Sequence, residues 1–336
     1  MKRVRISDIA AKARVSNATV SYALSDSGRV SRETRDRIIK IADAMGFIRD
    51  DVAAQLRTGR SSLIGVILNT IVNPFFSELV ASLEVAAYEA GYLTLLATAQ
   101  NDPVRQSQLM SSMVARGVAG VIVSPVHETS ADLVDAAVQL GIPTVVAVRD
   151  IPGSKGVFVG ADEKKAGYLA ARHLVECGHR AFKFIGGFEQ TTTWQSRRDG
   201  MAQALSESGI PQDRMDIEPG ALLPEFAYRS LTRSHKDRSL PRAVICFNDD
   251  QASGAYQAAR DLGLQVGKDI SVIGFDNIPQ SKTLTPELTT VDIHPSSIGR
   301  ISAELIGQML VDSHRRVEPV VLEPSLVSRG SVVRVA

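Results

Sequence analysis

Hydrophobic positions near the amino terminus follow two short helical periods. Apolar residues stand at 6, 9, 10 and 13, and again at 15, 20, 23 and 24, which predicts two helices joined by a turn. Ser16 is placed to cap the second helix, and Ser31 can cap a third helix that extends to Met45. Gly46 can end that helix in a left-handed turn. Three short helices, the second with a polar outer face, predict a helix-turn-helix module, although an ordinary small helical bundle has a similar pattern.

From Leu63 onward, short runs of Val, Ile and Leu alternate with amphipathic stretches. Strands that are apolar at every position are typical of parallel sheets covered by helices on both faces. Two successive sets of such strands and helices predict two α/β lobes. The predicted strands cover residues 63–68, 93–97, 120–123, 144–148, 156–159, 182–185, 243–247, 271–275, 289–293, 320–322 and 326–328. The predicted helices cover residues 74–90, 103–116, 130–140, 163–176, 193–208, 224–234, 250–262 and 296–312.

Charge is unevenly distributed along the 336 residues. The whole chain has a net charge of +1, but residues 1–60 contain 13 Lys and Arg against 7 Asp and Glu. The remaining residues contain 25 Lys and Arg against 30 Asp and Glu. A basic amino-terminal segment followed by an acidic remainder suggests that the segment binds a polyanion. Together with the helix-turn-helix pattern, it predicts double-stranded DNA as a partner.

The two cysteines, Cys177 and Cys246, stand far apart in apolar patterns, which indicates reduced side chains and neither a disulfide nor a metal pair. The first residues are basic but lead into a polar helix. No uncharged run reaches the roughly 18 residues that a membrane span requires. We therefore expect a soluble cytoplasmic protein without a membrane partner.

Motifs for catalysis are weak in this chain. Gly186-Gly187 lacks the Gly-x4-Gly-Lys-Ser/Thr pattern of a phosphate-binding loop, and the six histidines show no metal-ligand spacing. Cys177 and His179 are neighbours in sequence, but such proximity does not make a catalytic pair. We therefore expect no enzyme activity, no catalytic residue, no cofactor and no metal.

Five short motifs follow one another along the chain. They are Val15-Ser16-x-x-Thr19-Val20-Ser21, Gly28-Arg29-Val30-Ser31-x-x-Thr34-Arg35, Ala53-x-x-Leu56-x-x-Gly59, Ile64-Gly65-Val66 and Asn73-Pro74-Phe75-Phe76. Together they resemble bacterial regulators of the lactose-repressor (LacI/GalR) family, and the resemblance covers essentially the whole chain. It implies a small all-α helix-turn-helix head and a two-lobed α/β core like that of periplasmic binding proteins, built on parallel sheets.

The resemblance divides the chain into a DNA-binding head, a hinge with its linker, and an effector-binding and dimerisation core, at residues 1–49, 50–60 and 61–336. Because the chain crosses three times between lobes in this family, we expect an N-lobe of about 61–160 plus 294–322 and a C-lobe of about 161–293 plus 323–336. Asp50 can cap a hinge helix of two turns and Gly59 can end it, although a plain linker fits the same residues. In the family, paired hinge helices lie in the minor groove, where Leu56 would be the apolar wedge.

The resemblance also assigns base reading to the second helix. Asn17 can bind adenine through two hydrogen bonds, Ala18 offers a methyl contact to thymine, and Tyr22 offers a hydroxyl and a ring face. Thr19 and Ser21 look like phosphate contacts, which position the protein without specifying the sequence. The expected DNA contacts are Ser16, Asn17, Ala18, Thr19, Ser21, Tyr22, Arg29, Val52, Ala53 and Leu56.

Three positions depart from the family pattern. Arg14 stands where a glycine is usual in the turn, so a positive φ at this residue would be strained. Tyr22 stands where arginine is common, so the half-site should differ from the commonest one in the family. Arg49-Asp50 replaces the usual Pro-Asn before the hinge helix, and the added carboxylate near phosphates is expected to weaken DNA binding.

A small effector is expected between the lobes, since open parallel sheets bind ligands beyond the carboxyl ends of their strands. Arg197 offers forked donors, Asp276 accepts hydrogen bonds from hydroxyls, and Asn248 does both. Arg197, Asn248 and Asp276 match family positions that line the cleft, and the other candidates stand in loops after predicted strands or can stack on a sugar ring. The expected effector contacts are Asn69, Phe75, Phe76, Ser124, Arg149, Trp194, Arg197, Asn248 and Asp276.

The identity of the effector stays open at this point. The aromatic residues of this set can stack on the apolar face of a sugar ring, although Phe75 and Phe76 fit a core role and Arg197 a surface role as well. Val148 and Ile293 occupy positions that are often polar in the family, which leaves few acceptors for sugar hydroxyls. The two arginines of the set make a sugar phosphate or a sugar acid an alternative to a neutral sugar.

These features predict a homodimeric transcription repressor of carbohydrate-catabolism genes, controlled allosterically by a sugar or sugar derivative bound between the lobes. We expect the core to hold the dimer, because no leucine heptads follow the last strands. The alternative is a regulator of the same build whose core responds to a protein partner or to no ligand.

Overall fold

The computed structural model describes residues 4–24, 28–47, 61–312 and 315–335. Contacts between residues divide the chain into two units, Met1–Arg60 and Ser61–Ala336, which we call the head and the core. The predicted hinge helix, with Val52, Ala53 and Leu56, lies outside the described residues.

The head contains three short helices whose apolar stripes meet in a small core. They are α1 (Ile6–Ala13), α2 (Asn17–Leu24) and α3 (Arg32–Ala44). The predicted helix caps are confirmed, because Ser16 Oγ accepts a hydrogen bond from Thr19 N at 3.1 Å and Ser31 Oγ accepts one from Thr34 N at 3.4 Å. The buried apolar side chains of the head are Ile9, Ala10, Ala13, Val20, Ala23, Ile38 and Ala42.

Three described residues of the head, Arg14, Gly28 and Gly46, have a left-handed backbone. Arg14 links α1 to α2 with φ 54° and ψ 48°. The positive φ, which is strained for a residue with a Cβ, is therefore present at this arginine. Gly46 follows α3 with φ 66°, as its position after the third helix predicts. The turn between the first two helices therefore keeps its usual shape despite the arginine.

Within the described part of the core, twelve strands form two six-stranded sheets, one in each lobe. The N-lobe sheet has the order β11-β5-β4-β3-β1-β2, and the C-lobe sheet has the order β12-β10-β9-β8-β6-β7. All pairs are parallel except β10 with β12. The strands are β1 (Leu63–Leu68), β2 (Leu93–Thr98), β3 (Gly120–Val123), β4 (Thr144–Ala147), β5 (Val157–Ala161), β6 (Phe182–Ile185), β7 (Met215–Glu218), β8 (Ala243–Cys246), β9 (Ser271–Phe275), β10 (Thr289–Asp292), β11 (Val320–Leu322) and β12 (Ser325–Val327).

Helices cover these sheets, as the continuous apolar strands predict. Several begin at a polar cap that directly precedes the first turn; Asn73, Asp162 and Asn248 each accept a hydrogen bond from a backbone N–H. No described helix is both long and apolar enough to cross a membrane. The helices of the core are α4 (Pro74–Glu89), α5 (Pro103–Ala115), α6 (Ala131–Gln139), α7 (Glu163–Glu176), α8 (Thr192–Glu207), α9 (Pro224–Lys236), α10 (Asp249–Asp261) and α11 (Pro295–Val311).

The chain passes between the lobes three times. After β5 in the N-lobe sheet, α7 packs against β10 and β12 of the C-lobe. After β10 in the C-lobe sheet, α11 packs against β3, β4 and β5 of the N-lobe. The last two strands then join different sheets, β11 in the N-lobe and β12 in the C-lobe. The carboxyl ends of both parallel sheets meet at the cleft between the lobes.

One strand escaped the sequence-based prediction. β7 lies at the edge of the C-lobe sheet, and its sequence, Met-Asp-Ile-Glu, lacks the continuous apolar run of the other strands. The Lys183 ammonium on β6 lies 2.5 Å from the Asp216 carboxylate and 3.0 Å from the Glu218 carboxylate. β7 pairs with β6 along its whole length, and its alternation of apolar and acidic residues fits an edge strand whose acidic side chains bind Lys183.

Candidate functional site

The outer surface of α2 carries the residues expected to read DNA. Asn17 and Ala18 are exposed, whereas Val20 and Ala23 are buried in the head. Tyr22 is half-buried, and Thr19 and Ser21 are also half-buried on this helix. The short helix therefore presents small and polar side chains on one side while its apolar side packs against α1 and α3.

Arg29 lies between α2 and α3 and binds a residue of α2. Its Nη1 donates a hydrogen bond to the Tyr22 hydroxyl at 3.2 Å, and its guanidinium carbon lies 5.1 Å from the centre of the Tyr22 ring. The exposed guanidinium of Arg29 is therefore held beside Tyr22. The family commonly has an arginine at the position of this tyrosine.

A second candidate site lies in the core, where a cavity of about 40 Å³ is enclosed between the lobes. Most of its side chains are placed by the end of a strand or the start of a helix, as expected for parallel sheets. Six of the nine expected effector contacts line the cavity: Phe75, Phe76, Arg149, Arg197, Asn248 and Asp276. The other lining residues are Asn73, Val148, Glu163, Thr193, Leu222, Phe247 and Ile293.

Arg197, on α8, is 2% exposed and stands at the centre of the cavity's polar contacts. Its Nε donates a hydrogen bond to Glu163 Oε2 at 2.7 Å, and its Nη1 donates one to the Phe247 carbonyl at 2.6 Å. The guanidinium carbon lies 4.7 Å from the Phe247 ring centre and 4.2 Å from that of Phe275. A surface role for this arginine is therefore wrong, because its charge is buried and paired.

Asp276 follows β9 and joins the two lobes. Asn73 Nδ2, at the start of α4 in the N-lobe, donates a hydrogen bond to Asp276 Oδ2 at 3.3 Å. Burial raises the pKa of Asp276 to about 7, against the charge of Arg197, which lowers it. A carboxyl group with this pKa carries only part of its charge at neutral pH, and it can accept hydrogen bonds from ligand hydroxyls.

Arg149 follows β4 and gives the N-lobe side of the cavity a positive charge. Its Nη1 donates a hydrogen bond to the Pro125 carbonyl at 3.1 Å. Burial and the charge of Arg197 lower the pKa of Arg149 to about 10, and Glu163 and Asp276 act in the opposite direction. Arg149 therefore keeps its charge at neutral pH, and its field reaches the same carboxylates that surround Arg197.

Two residues of the lining have backbone conformations that side chains disfavour. Val148 has φ 72° and Asp276 has φ 104°, in the N-lobe and the C-lobe respectively. A β-branched residue at positive φ is a genuine outlier, and such strain is found mostly at ligand and switch sites. Backbone hydrogen bonds to neighbouring strands hold both residues in place. Val148 N donates to the Val159 carbonyl, and Asp276 N donates to the Val291 carbonyl.

Three of the expected effector contacts do not line the cavity. Asn69 is buried and its Nδ2 donates a hydrogen bond to Asn101 Oδ1 at 3.3 Å. Ser124 is buried, and its carbonyl accepts a hydrogen bond from the side chain of Gln106. Trp194 lies in the hydrophobic core of the C-lobe, where its ring stacks on Phe184. Its Nε1 also donates to the Gly186 carbonyl at 3.1 Å, so the indole is held away from the cavity.

Sequence reasoning missed several lining residues as contacts. Glu163 stands two residues after β5, so its closeness to a strand end was a signal, although an acidic residue is also ordinary in the first turn of a helix. Thr193 lies one turn before Arg197 on α8, and its Oγ1 is buried without a hydrogen-bond partner among the described residues. Leu222 stands in a connection before α9, and no local signal in the sequence marks it. In the described part of the chain, no group of three His, Cys, Asp or Glu residues is placed to hold a metal ion.

Comparison with known proteins shows similarity over the whole chain. Residues 5–50 match the model of bacterial regulatory proteins, lacI family, and residues 171–332 match that of a periplasmic binding protein-like domain. The HTH-type transcriptional regulator DegA of Bacillus subtilis (strain 168) is 32% identical over 339 residues, which cover 98% of each chain. The HTH-type transcriptional repressor PurR of Klebsiella pneumoniae (strain 342) is 31% identical and covers 97% of this chain and 96% of its own.

Solved structures show the same architecture. The lac repressor dimer bound to operator and the anti-inducer ONPF superposes with a TM-score of 0.89 and 24% identity, covering 99% of this chain and all of its own. A LacI-family transcriptional regulator from Enterococcus faecium with bound ribose superposes with a TM-score of 0.74 and 27% identity. It covers 82% of this chain and all of its own.

Proposed function

Since the chain belongs to the LacI family of bacterial regulatory proteins, and is a DNA-binding transcriptional repressor with a ligand-binding core and not an enzyme, we propose that it represses genes of carbohydrate catabolism. We propose further that a sugar or a sugar derivative, bound between the lobes of the core, controls its affinity for operator DNA. The two proposals concern different units of the chain and can be tested separately.

The observation that carries the sugar proposal is the chemistry of the cavity between the lobes. Asp276, Asn248 and Thr193 place a carboxylate, an amide and a hydroxyl around one small space, next to the aromatic rings of Phe75 and Phe76. Hydroxyl groups need such acceptors and donors, and the apolar face of a sugar ring packs on aromatic side chains. The ribose bound to the Enterococcus faecium relative adds support for a ligand of this class.

The size of the cavity has a consequence for how the effector enters. A volume of about 40 Å³ is far below the roughly 300–1,000 Å³ of ordinary small-molecule sites. A sugar ring requires more space, so the lobes must move apart or lining side chains must rearrange before it binds. We infer that effector binding changes the relation between the lobes, which gives the effector a means to alter DNA binding.

A thermal-shift screen on the full chain tests the sugar proposal. The panel contains neutral monosaccharides and disaccharides, sugar acids and sugar phosphates, each well above the expected Kd. A compound present at about 100 times its Kd adds roughly 2.7 kcal/mol to the stability of the core, which raises its Tm by several degrees. If no compound of the three classes shifts the Tm, a protein partner or a ligand-free core replaces the sugar proposal.

For DNA recognition, we propose that α2 reads the major groove through Asn17, Ala18 and Tyr22. Replacing these residues together, as Asn17→Gln, Ala18→Ser and Tyr22→Arg, should change the preferred half-site in selection from random DNA while weak non-specific binding persists. Lys40→Gln, an exposed change on α3, should leave the half-site unchanged. The same half-site from the triple variant would rule out this role for α2.

The segment at residues 50–60 enters this proposal only through the family resemblance. We propose that Leu56 is a minor-groove wedge, so Leu56→Ala should weaken specific binding by about 1 kcal/mol or more. The expected contacts Val52 and Ala53 belong to the same segment. Unchanged specific affinity of Leu56→Ala, measured by fluorescence anisotropy, would remove the wedge from the proposal.

We also propose a homodimer held by the core. Five apolar side chains at the β2 edge of the N-lobe sheet are exposed or nearly so, which is a large apolar surface for a monomer. They lie on β2 and on α4, which packs against β2. We call them the β2 edge patch: Val85, Tyr88, Leu93, Leu95 and Leu96.

Light scattering on the full chain tests the dimer. The variant Tyr88→Glu with Leu93→Glu places two charges in the β2 edge patch and should yield a monomer. Leu140→Glu on α6 is a matched control, because Leu140 is as exposed as Tyr88, at 68%, but lies outside the patch. A monomeric or tetrameric wild type, or a control that dissociates like the double variant, contradicts this interface.

A further inference from the structure

The buried pair of Glu163 and Arg197 dominates the charge of the cavity between the lobes. Arg197 Nε donates to Glu163 Oε2 at 2.7 Å, and the two side chains are 2% and 8% exposed. Charge-assisted hydrogen bonds of this kind are about twice as strong as neutral ones when both partners are withdrawn from water. Removing one partner of such a pair is costly, because the other charge is left buried without compensation.

Close packing of two helices fixes the distance between these partners. Glu163 is the first residue of α7 and Arg197 lies on α8, and glycines stand where the two helix backbones cross. A Cβ on Gly167 would lie 2.0 Å from the Arg197 carbonyl oxygen, and one on Gly200 would lie 1.9 Å from the Lys164 carbonyl oxygen. The backbones therefore touch, and the ion pair cannot open by a small separation of the helices.

Contacts already made by Arg197 leave little for a ligand anion. A carboxylate or phosphate is bound most strongly by two parallel N–H groups of a guanidinium. In Arg197, Nε is bound to Glu163 and Nη1 to the Phe247 carbonyl, and the rings of Phe247 and Phe275 lie against the guanidinium. An anion that binds side-on, through the Nε–Nη2 pair, would have to displace a carboxylate that belongs to the chain itself.

The charges around the cavity also balance without a ligand when Asp276 is ionised, above its pKa of about 7. Two guanidinium groups, Arg149 and Arg197, face two carboxyl groups, Glu163 and Asp276, and the four groups influence one another electrostatically. A neutral ligand preserves this balance, whereas an anion adds a charge to a buried site. The two arginines, which in the sequence suggested an anionic effector, therefore lead to a different conclusion once their partners are known.

We propose that Glu163 is a built-in counter-ion that keeps anions off Arg197 and restricts the effector to neutral polyhydroxy compounds. This inference rests on the proposed function of the cleft as the effector site. It assigns Glu163 a role in specificity: the carboxylate occupies the position that the acidic group of a sugar acid would take on Arg197. Sugar acids and sugar phosphates are then excluded by competition within the chain and not by lack of positive charge.

The test asks whether free acetate can replace the carboxylate that a variant lacks. It measures the Tm of the core in the full chain. Glu163→Ala removes a CH₂–COO⁻ group, which acetate matches. Loss of a buried ion-pair partner should lower the Tm by roughly 5–15 °C. Acetate at about 100 mM should then raise the Tm of the variant by roughly 3–5 °C for a Kd near 10 mM. Chloride at the same ionic strength should not.

Wild type and a matched control define the baseline. Glu176→Ala, on the same helix, removes an exposed carboxylate that binds Arg172 at 2.7 Å, and it should show no response to acetate beyond that of wild type. If wild type is stabilised by acetate as strongly as Glu163→Ala, Arg197 or Arg149 is open to anions and the proposal is overturned. A Glu163→Ala protein that folds but does not respond to acetate overturns it as well.

A second variant covers the case in which Glu163→Ala does not fold. Glu163→Ser opens the space of the carboxylate and removes the negative charge, but keeps a hydroxyl group in the first turn of α7, where serine is well tolerated. It should respond to acetate by at least 2 °C more than wild type, and an equal response contradicts the proposal. These measurements need no effector, so they succeed or fail independently of the sugar screen. In that screen, a sugar acid that stabilises wild type but not Arg197→Met would also overturn the role of Glu163.

Discussion

The two lobes contribute unequally to the cavity between them. Among the described lining residues, both carboxyl groups and the Asn248 amide come from the C-lobe, which also supplies Arg197 and Thr193. The N-lobe supplies mainly apolar surface, together with Arg149 and Asn73. Among the described residues, Asn73 of the N-lobe donates a hydrogen bond to Asp276 across the cavity, and Thr192 of the C-lobe also donates one to the Asp150 carbonyl of the N-lobe, at 3.0 Å.

This difference gives the lobes different roles, which we call recognition and closure. The C-lobe selects the effector, and the N-lobe closes over it. Groups that can distinguish one polyhydroxy compound from another lie on the C-lobe, on helices and strand ends fixed by its sheet. The N-lobe offers ring faces, which contribute affinity without strong selectivity, and hydrogen bonds that form when the lobes approach. We therefore expect substitutions on the C-lobe side to cost more effector affinity than those on the N-lobe side.

The largest expected difference between the lobes concerns pH and stability. Because the pKa of Asp276 is raised to about 7, the folded core takes up a proton where the unfolded chain does not, and wild type gains stability as pH falls from 8 to 5. Asp276→Asn lacks this proton uptake. The free energy of unfolding of Asp276→Asn minus that of wild type should be largest at pH 8. At pH 5 this difference should be smaller by on the order of 2–3 kcal/mol.

Both comparisons use urea titrations at each pH, followed by circular dichroism. Arg149 provides the N-lobe counterpart of Asp276. Its pKa of about 10 lies well above this pH range, so the difference between Arg149→Met and wild type should change far less between pH 5 and pH 8 than that of Asp276→Asn, and only through the effect of Arg149 on the carboxyl groups of the cavity. A slope as large as that of Asp276→Asn would show that the ionisation sensed in this range is not confined to the C-lobe carboxyl group.

Effector affinity should show the next largest effect. Asp276→Ala removes an acceptor of charge-assisted hydrogen bonds, each worth about 1.5–3 kcal/mol, so binding of the sugar identified by the screen should weaken roughly ten- to a hundredfold. Operator affinity without effector should stay within a few-fold of wild type, because the head is a separate unit. Calorimetry that returns an unchanged Kd for this variant would remove Asp276 from the site.

A matched pair of small substitutions compares the lobes directly. Thr193→Val removes a buried hydroxyl of the C-lobe that has no partner among the described residues, and the Kd should rise roughly tenfold if the sugar binds this oxygen. The variant loses little stability, since no bond within the chain is broken. An unchanged Kd would show that the sugar does not reach α8 at this position.

The smallest effect is expected for Asn73→Ser on the N-lobe side. Serine can still cap α4, as the Asn73 side chain does through its bond from Phe75 N, but it lacks the amide that reaches Asp276. Loss of this long bond should raise the Kd by about threefold or less, at about 0.5 kcal/mol. If Asn73→Ser costs more than Thr193→Val in the same calorimetric series, the division between recognition and closure is wrong.

The sequence predicted the architecture well because most strands are apolar at every position and most helices begin at a recognisable cap. β7 was missed because half of its residues are acidic, and their partner Lys183 lies on the neighbouring strand. Local pattern cannot supply that partner. The same limit applies to the cavity: Glu163 has the properties of an ordinary acidic residue in the first turn of a helix, and its partner Arg197 lies on another helix.

Placement of aromatic residues shows the other limit of sequence reasoning. Trp194 precedes Arg197 by one helical turn, so both were expected at the effector site. The structure separates them because the indole has better partners in the core, a stacked ring at Phe184 and a carbonyl at Gly186. Tertiary contacts decide which of two neighbouring side chains faces the cavity. The spacing of residues along the sequence does not show these contacts.

The chain contains a single tryptophan, and its place on α8 makes the protein its own optical reporter. The indole of Trp194 is 4% exposed and lies 5.4 Å from the guanidinium of Arg198, on the helix that also carries Arg197. Indole emission shifts with nearby charge and solvent, so a small rearrangement of this helix should change its wavelength or intensity. Because no other residue contributes tryptophan emission, stopped-flow fluorescence can follow events at the C-lobe in real time, without a label, even while the head is bound to DNA.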